Sequence, residues 1–261
     1  MRTTDMADEL FSGAAQPLPA GVRLATARHG GVTVTRVEVA REGLSRPRGR
    51  YVTLEMPSVS VLDERDAAVI ETCAAELRAL LPPEGPVLVL GIGNRRVTAD
   101  ALGPRTAQKI LVTMGPQHTL PVKGIRPVAA LAPGVSGDTG LTLRQLAAAM
   151  VDAVRPAALI CVDSLCSAEA ARLGRTIQFS DTGLHPADAR HARHLDAAAL
   201  GVPVIAAGIP TLMDADEGAD LVLTPRALDS VIAHGSALLA GILNRALQPR
   251  LSVAQLCWLT G

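Results

Sequence analysis

Residues 86–94 read Pro86-Val-Leu-Val-Leu-Gly-Ile-Gly-Asn94, an apolar run that leads into Arg95-Arg-Val-Thr-Ala-Asp100-Ala-Leu-Gly-Pro104. A second apolar run, Ala157-Ala-Leu-Ile-Cys-Val-Asp163, also ends in an aspartate. Runs that are apolar on both faces and alternate with helices are typical of a parallel sheet covered on both sides. The sequence therefore predicts a three-layer α/β fold, with a mostly parallel sheet between helices.

The rest of the chain extends this pattern. We expect further strands at 125–131, 175–180 and 202–209, and helices at 63–81, 103–114, 141–154, 191–200 and 226–247. Alternating apolar and polar residues at 31–39 and 50–56 predict an N-terminal β-hairpin added to the sheet. Residues 1–30 are rich in Gly, Pro and Ala and predict a mobile segment, which leaves 31–261 as a single α/β domain.

Composition excludes several classes of partner. The chain has 25 basic and 25 acidic residues, so we expect no direct binding to nucleic acid or to an anionic membrane. The four cysteines have no CxxC spacing and suit a reducing, cytoplasmic compartment. The first residues are too acidic for a signal peptide, and no apolar run reaches the ~18 residues that span a bilayer.

Asp100 and Asp163 are the strongest candidates for site residues. Each follows an apolar strand, and the carboxyl ends of strands in an open α/β sheet form the ligand crevice. Two carboxylates that meet there can divide acid and base work between them. Taken singly, each aspartate is also typical of an ordinary loop or turn residue.

A third strand end carries Ser180-Asp-Thr-Gly-Leu-His-Pro186. His185 in this loop is a candidate third site residue, although a lone loop histidine is as often a surface residue. A serine–histidine–aspartate arrangement would use Ser164 or Ser180 with His185. The chain has no G-x-S-x-G elbow, which disfavours that alternative.

The glycines at 91 and 93 invite comparison with a dinucleotide-binding turn. Arg96 occupies the third small position of that fingerprint, and the following helix begins too late. We therefore expect no cofactor, and interpret the glycines as residues that let the chain turn and leave room beside Asp100. A second glycine-rich turn at 134–140 either caps the next helix or binds an oxyanion.

The string at 91–104, Gly91-Ile-Gly-Asn-Arg-Arg-Val-Thr-Ala-Asp-Ala-Leu-Gly-Pro104, resembles the germination protease pattern G-[LI]-G-N-x-x-V-T-P-D-A-L-G-P of spore-forming bacteria. Further matches are Ile160-Cys-Val-Asp163, Thr176-Ile-Gln-Phe-Ser-Asp-Thr-Gly-Leu-His-Pro186 and Gly201-Val-Pro-Val-Ile-Ala-Ala-Gly-Ile-Pro-Thr211. The resemblance spans residues 86–247. In addition, Arg2-Thr-Thr-Asp-Met-Ala-Asp-Glu9 is similar to the Thr-Asp prosegment of that family.

The resemblance implies an endopeptidase that degrades small acid-soluble spore proteins during germination, in the forespore or spore core. It implies a zymogen that removes its own N-terminal segment, a homotetramer, and a fold similar to that of the hydrogenase-maturation proteases. The family's two essential aspartates fall on Asp100 and Asp163. Two departures are Ala99 in place of the usual proline and the lack of an insertion near 213–225, which makes the chain a short variant.

Two alternatives keep the fold and change the chemistry. In the hydrogenase-maturation relatives, two acidic residues and a histidine bind a metal ion. Asp100, Asp163 and His185 would be the corresponding ligands here, with zinc or nickel as the metal. The other alternative is a small-molecule-binding domain without enzymatic activity.

Overall fold

A computed structural model describes residues 4–12, 17–63, 65–115, 123–185, 194–214 and 221–260. The strands are β1 Val22–His29, β2 Val32–Val39, β3 Gly49–Glu55, β4 Val87–Gly91, β5 Val128–Leu131, β6 Ala158–Cys166, β7 Thr176–Ser180, β8 Val204–Asp214 and β9 Val222–Leu223. The helices are α1 Ala7–Ser12, α2 Ala67–Arg78, α3 Leu102–Ala107, α4 Ser136–Thr139, α5 Leu143–Val154, α6 Ala197–Leu200, α7 Leu228–Leu247 and α8 Val253–Thr260.

The strands form one mixed sheet in the order β1-β2-β3-β7-β8-β6-β4-β5, with β9 paired to β8. Strands β8, β6, β4 and β5 run parallel, whereas β7 pairs antiparallel with both β8 and β3. The prediction of an α/β sheet is confirmed, but the prediction that it is mostly parallel is wrong. The parallel half ends at β8, because β7 reverses the strand direction and joins the N-terminal strands to the sheet.

The predicted N-terminal hairpin of β2 and β3 is confirmed, and the structure adds a third strand, β1, to it. Strand β1 pairs antiparallel with β2 along its whole length, from Val22 opposite Val39 to His29 opposite Val32. The prediction that residues 1–30 form a mobile segment is therefore wrong for 22–29. Residues 4–12 are also ordered, and the helix α1 buries Ala7 and Phe11 against the hairpin.

Helices cover both faces of the sheet, as predicted. The larger core lies between the sheet and the helices α2, α3 and α7, and a smaller core lies between the opposite face and α5. Helix α7 is long and apolar enough, with a mean hydropathy of 1.2, to cross a membrane by length and composition alone. Because 72% of that stretch is buried inside the fold, we interpret it as the central core helix.

Several helices are shorter than predicted. Helix α3 ends at Ala107 rather than near 114, and the chain that follows instead bonds to β5 through Thr113 and Met114. Helix α6 occupies only Ala197–Leu200, and residues 191–193 of that predicted helix lie outside the described residues.

Candidate active site

Asp100 lies in the connection between β4 and α3. It ends a short 3-10 helix, Thr98–Asp100, and its Oδ2 accepts a hydrogen bond from the backbone N–H of Asn94 at 2.8 Å. Gly93 lies directly against it. A Cβ atom on Gly93 would lie 2.0 Å from the carbonyl oxygen of Asp100 and 3.0 Å from its Oδ1. The expectation that a glycine leaves room beside Asp100 is confirmed.

A second glycine brings the start of α3 against the sheet. A Cβ atom on Gly103 would lie 2.3 Å from the carbonyl oxygens of both Ile92 and Val162. The backbone of α3 therefore touches the end of β4 and the middle of β6 with no side chain between them. This contact brings Asp100, three residues earlier in the chain, towards the part of β6 that carries Asp163.

Asp163 lies on β6, opposite Gly208 of β8 in the parallel register. The residue is 4% exposed, and its Oδ1 accepts a hydrogen bond from the backbone N–H of Ser164 at 2.8 Å. The strand continues to Cys166, so Asp163 lies within β6 rather than just past its end. A buried carboxylate at the carboxyl half of a central strand is a functional-site candidate.

Asp100 and Asp163 line the same cavity, whose volume is about 400 Å³. The convergence predicted from the two strand ends is thus present in the structure. His185 also lines this cavity. The other residues that line it are Asp5, Arg46, Tyr51, Val97, Ala99, Ser164, Leu165, Cys166, Gln178, Ser180, Thr182, Gly183, Leu184, Ala206, Leu212, Asp214 and Val222.

His185 is held by its own loop. Its Nε2 lies 2.8 Å from the carbonyl oxygen of Thr182, and a carbonyl only accepts, so Nε2 carries the proton and Nδ1 the lone pair. Burial lowers the pKa of His185, and the nearby His194 lowers it further. The ring is therefore neutral at neutral pH.

The predicted metal ligands Asp100, Asp163 and His185 all line the cavity. Among the described residues, however, a different set has its ligand atoms close together. The ligand atoms of His185, His194 and Asp196 all lie within 4.8 Å of one another. The structure thus places His185 with a second histidine and a third aspartate, at the edge of the cavity.

Other nucleophiles in the cavity are not activated. The hydroxyl of Ser164 is buried with no hydrogen-bond partner among the described residues, and that of Ser180 lies 3.4 Å from the carbonyl oxygen of Gly183. Burial raises the pKa of Cys166 to about 12, with a further contribution from Asp5. The thiol therefore stays protonated at neutral pH and is a poor nucleophile. The serine–histidine–aspartate alternative has no support in this geometry.

The N-terminal segment enters the cavity through Asp5. The backbone N–H of Asp5 donates to the carbonyl oxygen of Cys166 at 2.8 Å, and its Oδ2 accepts from the N–H of Cys166 at 2.7 Å. Gln178 holds the other side, because its Nε2 donates to the carbonyl oxygen of Asp5 and its Oε1 accepts from the N–H of Ala7. Residues 5–7 are thus bound through their backbone, as a peptide substrate would be.

Buried charges fix the same segment further along. Asp8 is buried and accepts hydrogen bonds from Thr53 at 2.9 Å and from Arg172 at 2.6 Å. Glu9 accepts from the hydroxyl of Ser167 and, at 2.8 Å, from the N–H of Ala168. Asp8 and Arg172 form a largely buried ion pair, and removing one partner of such a pair costs several kcal/mol, about 3–5.

Arg46 is a site residue that sequence reasoning missed. Its side chain is 8% exposed and lines the cavity, where it donates to the carbonyl oxygens of Thr4 and His185. Its Nε has no partner among the described residues. It lies in an irregular Arg-, Gly- and Pro-containing loop between β2 and β3, which offers no pattern that marks one arginine. Asp5 and Gln178 were missed because the groups that they contact lie far away in the chain.

The fold and the cavity together define an α/β protein with two aspartates in one cleft at the carboxyl ends of its central strands. This arrangement suits hydrolysis by general acid and general base catalysis. It does not by itself identify the bond that is hydrolysed.

Comparison with known proteins identifies the family. A family model described as germination protease matches residues 14–217. The germination protease of Clostridium perfringens (strain SM101 / Type A) is 32% identical over 84% of this chain and 86% of its own. That of Clostridium acetobutylicum is 30% identical over 90% and 91%. The chain therefore belongs to the germination protease family, and it is a protease.

Other relatives agree with this assignment. The germination protease of Caldanaerobacter subterraneus subsp. tengcongensis is 39% identical over 75% of this chain and 64% of its own. Among solved structures, a [NiFe] hydrogenase maturation protease HycI from Thermococcus kodakarensis matches 66% of this chain and 98% of its own, with a TM-score of 0.43 and 16% identity. A likeness of that size carries no conclusion, and the family assignment rests on the sequence matches.

Proposed function

We propose that this chain is an endopeptidase that degrades small acid-soluble spore proteins during germination, in the spore core, with Asp100 and Asp163 as its catalytic pair. The observation that carries the proposal is that both aspartates line one cavity, into which an extended segment of the same chain is bound. The family assignment supports a protein substrate in spores.

The two aspartates would have different roles. One carboxylate, ionised, takes a proton from the water that attacks the peptide carbonyl, and the other, protonated, polarises that carbonyl and then protonates the leaving amine. Asp163 is almost fully buried, whereas Asp100 is half-buried and therefore more accessible to water. We assign water activation to Asp100 and carbonyl polarisation to Asp163.

The mode of substrate binding follows from the contacts of residues 5–7. Cys166 and Gln178 bind that segment mainly through backbone groups, and any extended peptide carries these groups. The chain runs on from the cavity into α1 on one side. The site therefore holds a peptide that continues beyond it at its carboxyl side, as a protein substrate of an endopeptidase would.

The function is tested by incubating the purified protein with a small acid-soluble spore protein, with and without a chelator, and identifying the fragments by mass spectrometry. We expect cuts at internal bonds and the same rate with chelator, because the aspartate pair needs no metal. Intact substrate would contradict the proposed function. Cleavage lost with the chelator and restored by zinc would replace the aspartate mechanism with a metal-dependent one.

We further propose that the N-terminal segment is removed during maturation. Asp5 occupies the cavity and covers positions that a substrate needs, so the segment and a substrate compete for one site. We expect N-terminal sequencing of the active form to begin after one of the residues that precede β1, which starts at Val22. Deleting the segment should raise cleavage of an added substrate. An active form that still begins at Met1, or a deletion that abolishes activity, would contradict this prediction.

The expected assembly is a homotetramer. Helix α7 is mostly buried within its own fold, so it can contribute little to subunit contacts. The hairpin of β2 and β3 and the exposed Trp258 of α8, with 83% of its surface accessible, are the better candidates. Light scattering should give about four times the chain mass of 27.0 kDa, and a monomer mass would contradict the tetramer.

A further inference from the structure

His185, His194 and Asp196 form a cluster at the edge of the cavity. One ligand atom of each lies within 4.8 Å of those of the other two, and the two imidazole rings have their centroids 4.6 Å apart. The cluster uses neither aspartate of the proposed catalytic pair. Its geometry is therefore independent of the proposed peptidase mechanism.

The backbone holds the two histidines in place. Leu184 and Leu195 form an antiparallel bridge, in which each N–H donates to the other's carbonyl oxygen, at 2.8 Å and 3.1 Å. Both leucines are buried in the smaller core. His185 directly follows Leu184 and His194 directly precedes Leu195, so the bridge brings the two histidines close enough for their rings to meet.

Each end of the cluster also has an outer hydrogen bond of the kind that metal ligands make. The Nε2–H of His185 donates to the carbonyl oxygen of Thr182 at 2.8 Å, which leaves the lone pair on Nδ1. One oxygen of Asp196 accepts from the N–H of Ala199 at 2.8 Å, which leaves its second oxygen available. Such outer bonds fix the tautomer and orientation of metal ligands.

We propose that His185, His194 and Asp196 bind a zinc ion. Two imidazoles and one carboxylate are a ligand set typical of zinc sites that keep an open position. With bonds of about 2.1 Å, tetrahedral ligand atoms lie roughly 3.4 Å apart, so the cluster must contract by little more than 1 Å. His194 is exposed and is free to move by that distance.

Zinc at this position would hold one wall of the cavity in place. His185 lines the cavity, and its carbonyl oxygen accepts a hydrogen bond from the buried Arg46. The ion would tie this wall to the start of α6, and so stabilise the folded state by an amount that grows with the logarithm of the zinc concentration once that exceeds the dissociation constant. This is a structural site beside the aspartate pair, and it supplies no step of the proposed cleavage.

The test measures zinc binding by the full-length, metal-free protein. Isothermal titration gives the affinity, and metal analysis of the gel-filtered complex gives the number of zinc ions per chain. We expect one zinc ion per chain. His194→Ala and Asp196→Asn should each weaken binding by at least about tenfold, the loss that even outer hydrogen-bond partners of a metal cause. Asparagine keeps the acceptor for Ala199, so Asp196→Asn should fold normally. His29→Ala, which removes an exposed histidine of β1, is the matched control and should bind as the wild type does.

Two results would overturn the proposal. The first is that the wild type binds no zinc, or binds it no more tightly than His194→Ala and Asp196→Asn do. The other is zinc binding that survives both of those substitutions and is lost in Asp163→Asn, because the metal would then belong to the aspartates. The melting temperature supplies a second measurement: added zinc should raise it for the wild type and for His29→Ala, and leave it unchanged for the two ligand variants.

Discussion

Asp163→Asn should reduce cleavage of a small acid-soluble spore protein by roughly 10²–10⁴-fold, the contribution expected of one general acid or base. Asparagine has nearly the same shape and keeps an oxygen that can accept the hydrogen bond from Ser164. It cannot supply or accept the proton that the proposed mechanism requires. Because Asp163 is almost fully buried, an isosteric change is the cleanest way to remove its carboxylate without opening a cavity.

Asp100→Asn should cause a loss of similar size for the same reason. Its amide oxygen can still accept the hydrogen bond from Asn94, so the turn between β4 and α3 should keep its shape. Because the two aspartates act as a unit, the double variant should be little worse than either single variant. The measurement is the rate of substrate loss under identical conditions, with fragments quantified by mass spectrometry.

A matched control separates the loss of a catalytic carboxylate from the mere loss of one negative charge. Asp152 is an exposed aspartate in the last turn of α5, away from the cavity. Asp152→Asn should leave both the cleavage rate and the melting temperature unchanged. If Asp100→Asn or Asp163→Asn retained a rate near that of the wild type, the paired-carboxylate mechanism would be wrong and another group in the cavity would have to act.

The sequence predicted the central part of the molecule because local pattern and global topology agree there. The apolar runs at 86–94 and 157–163 can be buried only in the centre of a sheet, and an aspartate after each run then falls in the crevice. The direction of β7 could not be predicted in this way. A short apolar strand buried on both faces has the same composition in a parallel and in an antiparallel pairing.

The N-terminal segment was mispredicted for a different reason. Its composition is that of a mobile arm, but the side chains that order it lie far away in the chain. Arg172 binds Asp8, and Gln178 binds the backbone on both sides of Met6. Long-range partners of this kind leave no periodic signal in either segment. Arg46 escaped prediction likewise, since its role depends on the folded positions of Thr4 and His185.

Gly93→Ala should both destabilise the protein and reduce cleavage. Gly93 has φ +124°, a conformation that residues with a side chain rarely adopt, and its added Cβ would lie 2.0 Å from the carbonyl oxygen of Asp100. We expect the free energy of unfolding to fall by roughly 2–6 kcal/mol, the sum of about 1–3 for backbone strain and about 1–3 for overpacking. Denaturant unfolding measures this loss.

Cleavage by Gly93→Ala should fall further than the loss of folded protein explains. The clash is with the backbone and Oδ1 of Asp100 itself, so relieving it must move that carboxylate, and a shift of about 1 Å can cost a catalytic group on the order of 10²-fold in rate. The rate is therefore measured per folded molecule, at a temperature below the unfolding transition of the variant. Gly137→Ala is the matched control: a Cβ there meets nothing within 4 Å, so the rate should be unchanged and the stability unchanged or higher by up to about 1 kcal/mol. A Gly93→Ala protein with the stability and the rate of the wild type would show that this glycine does not position Asp100.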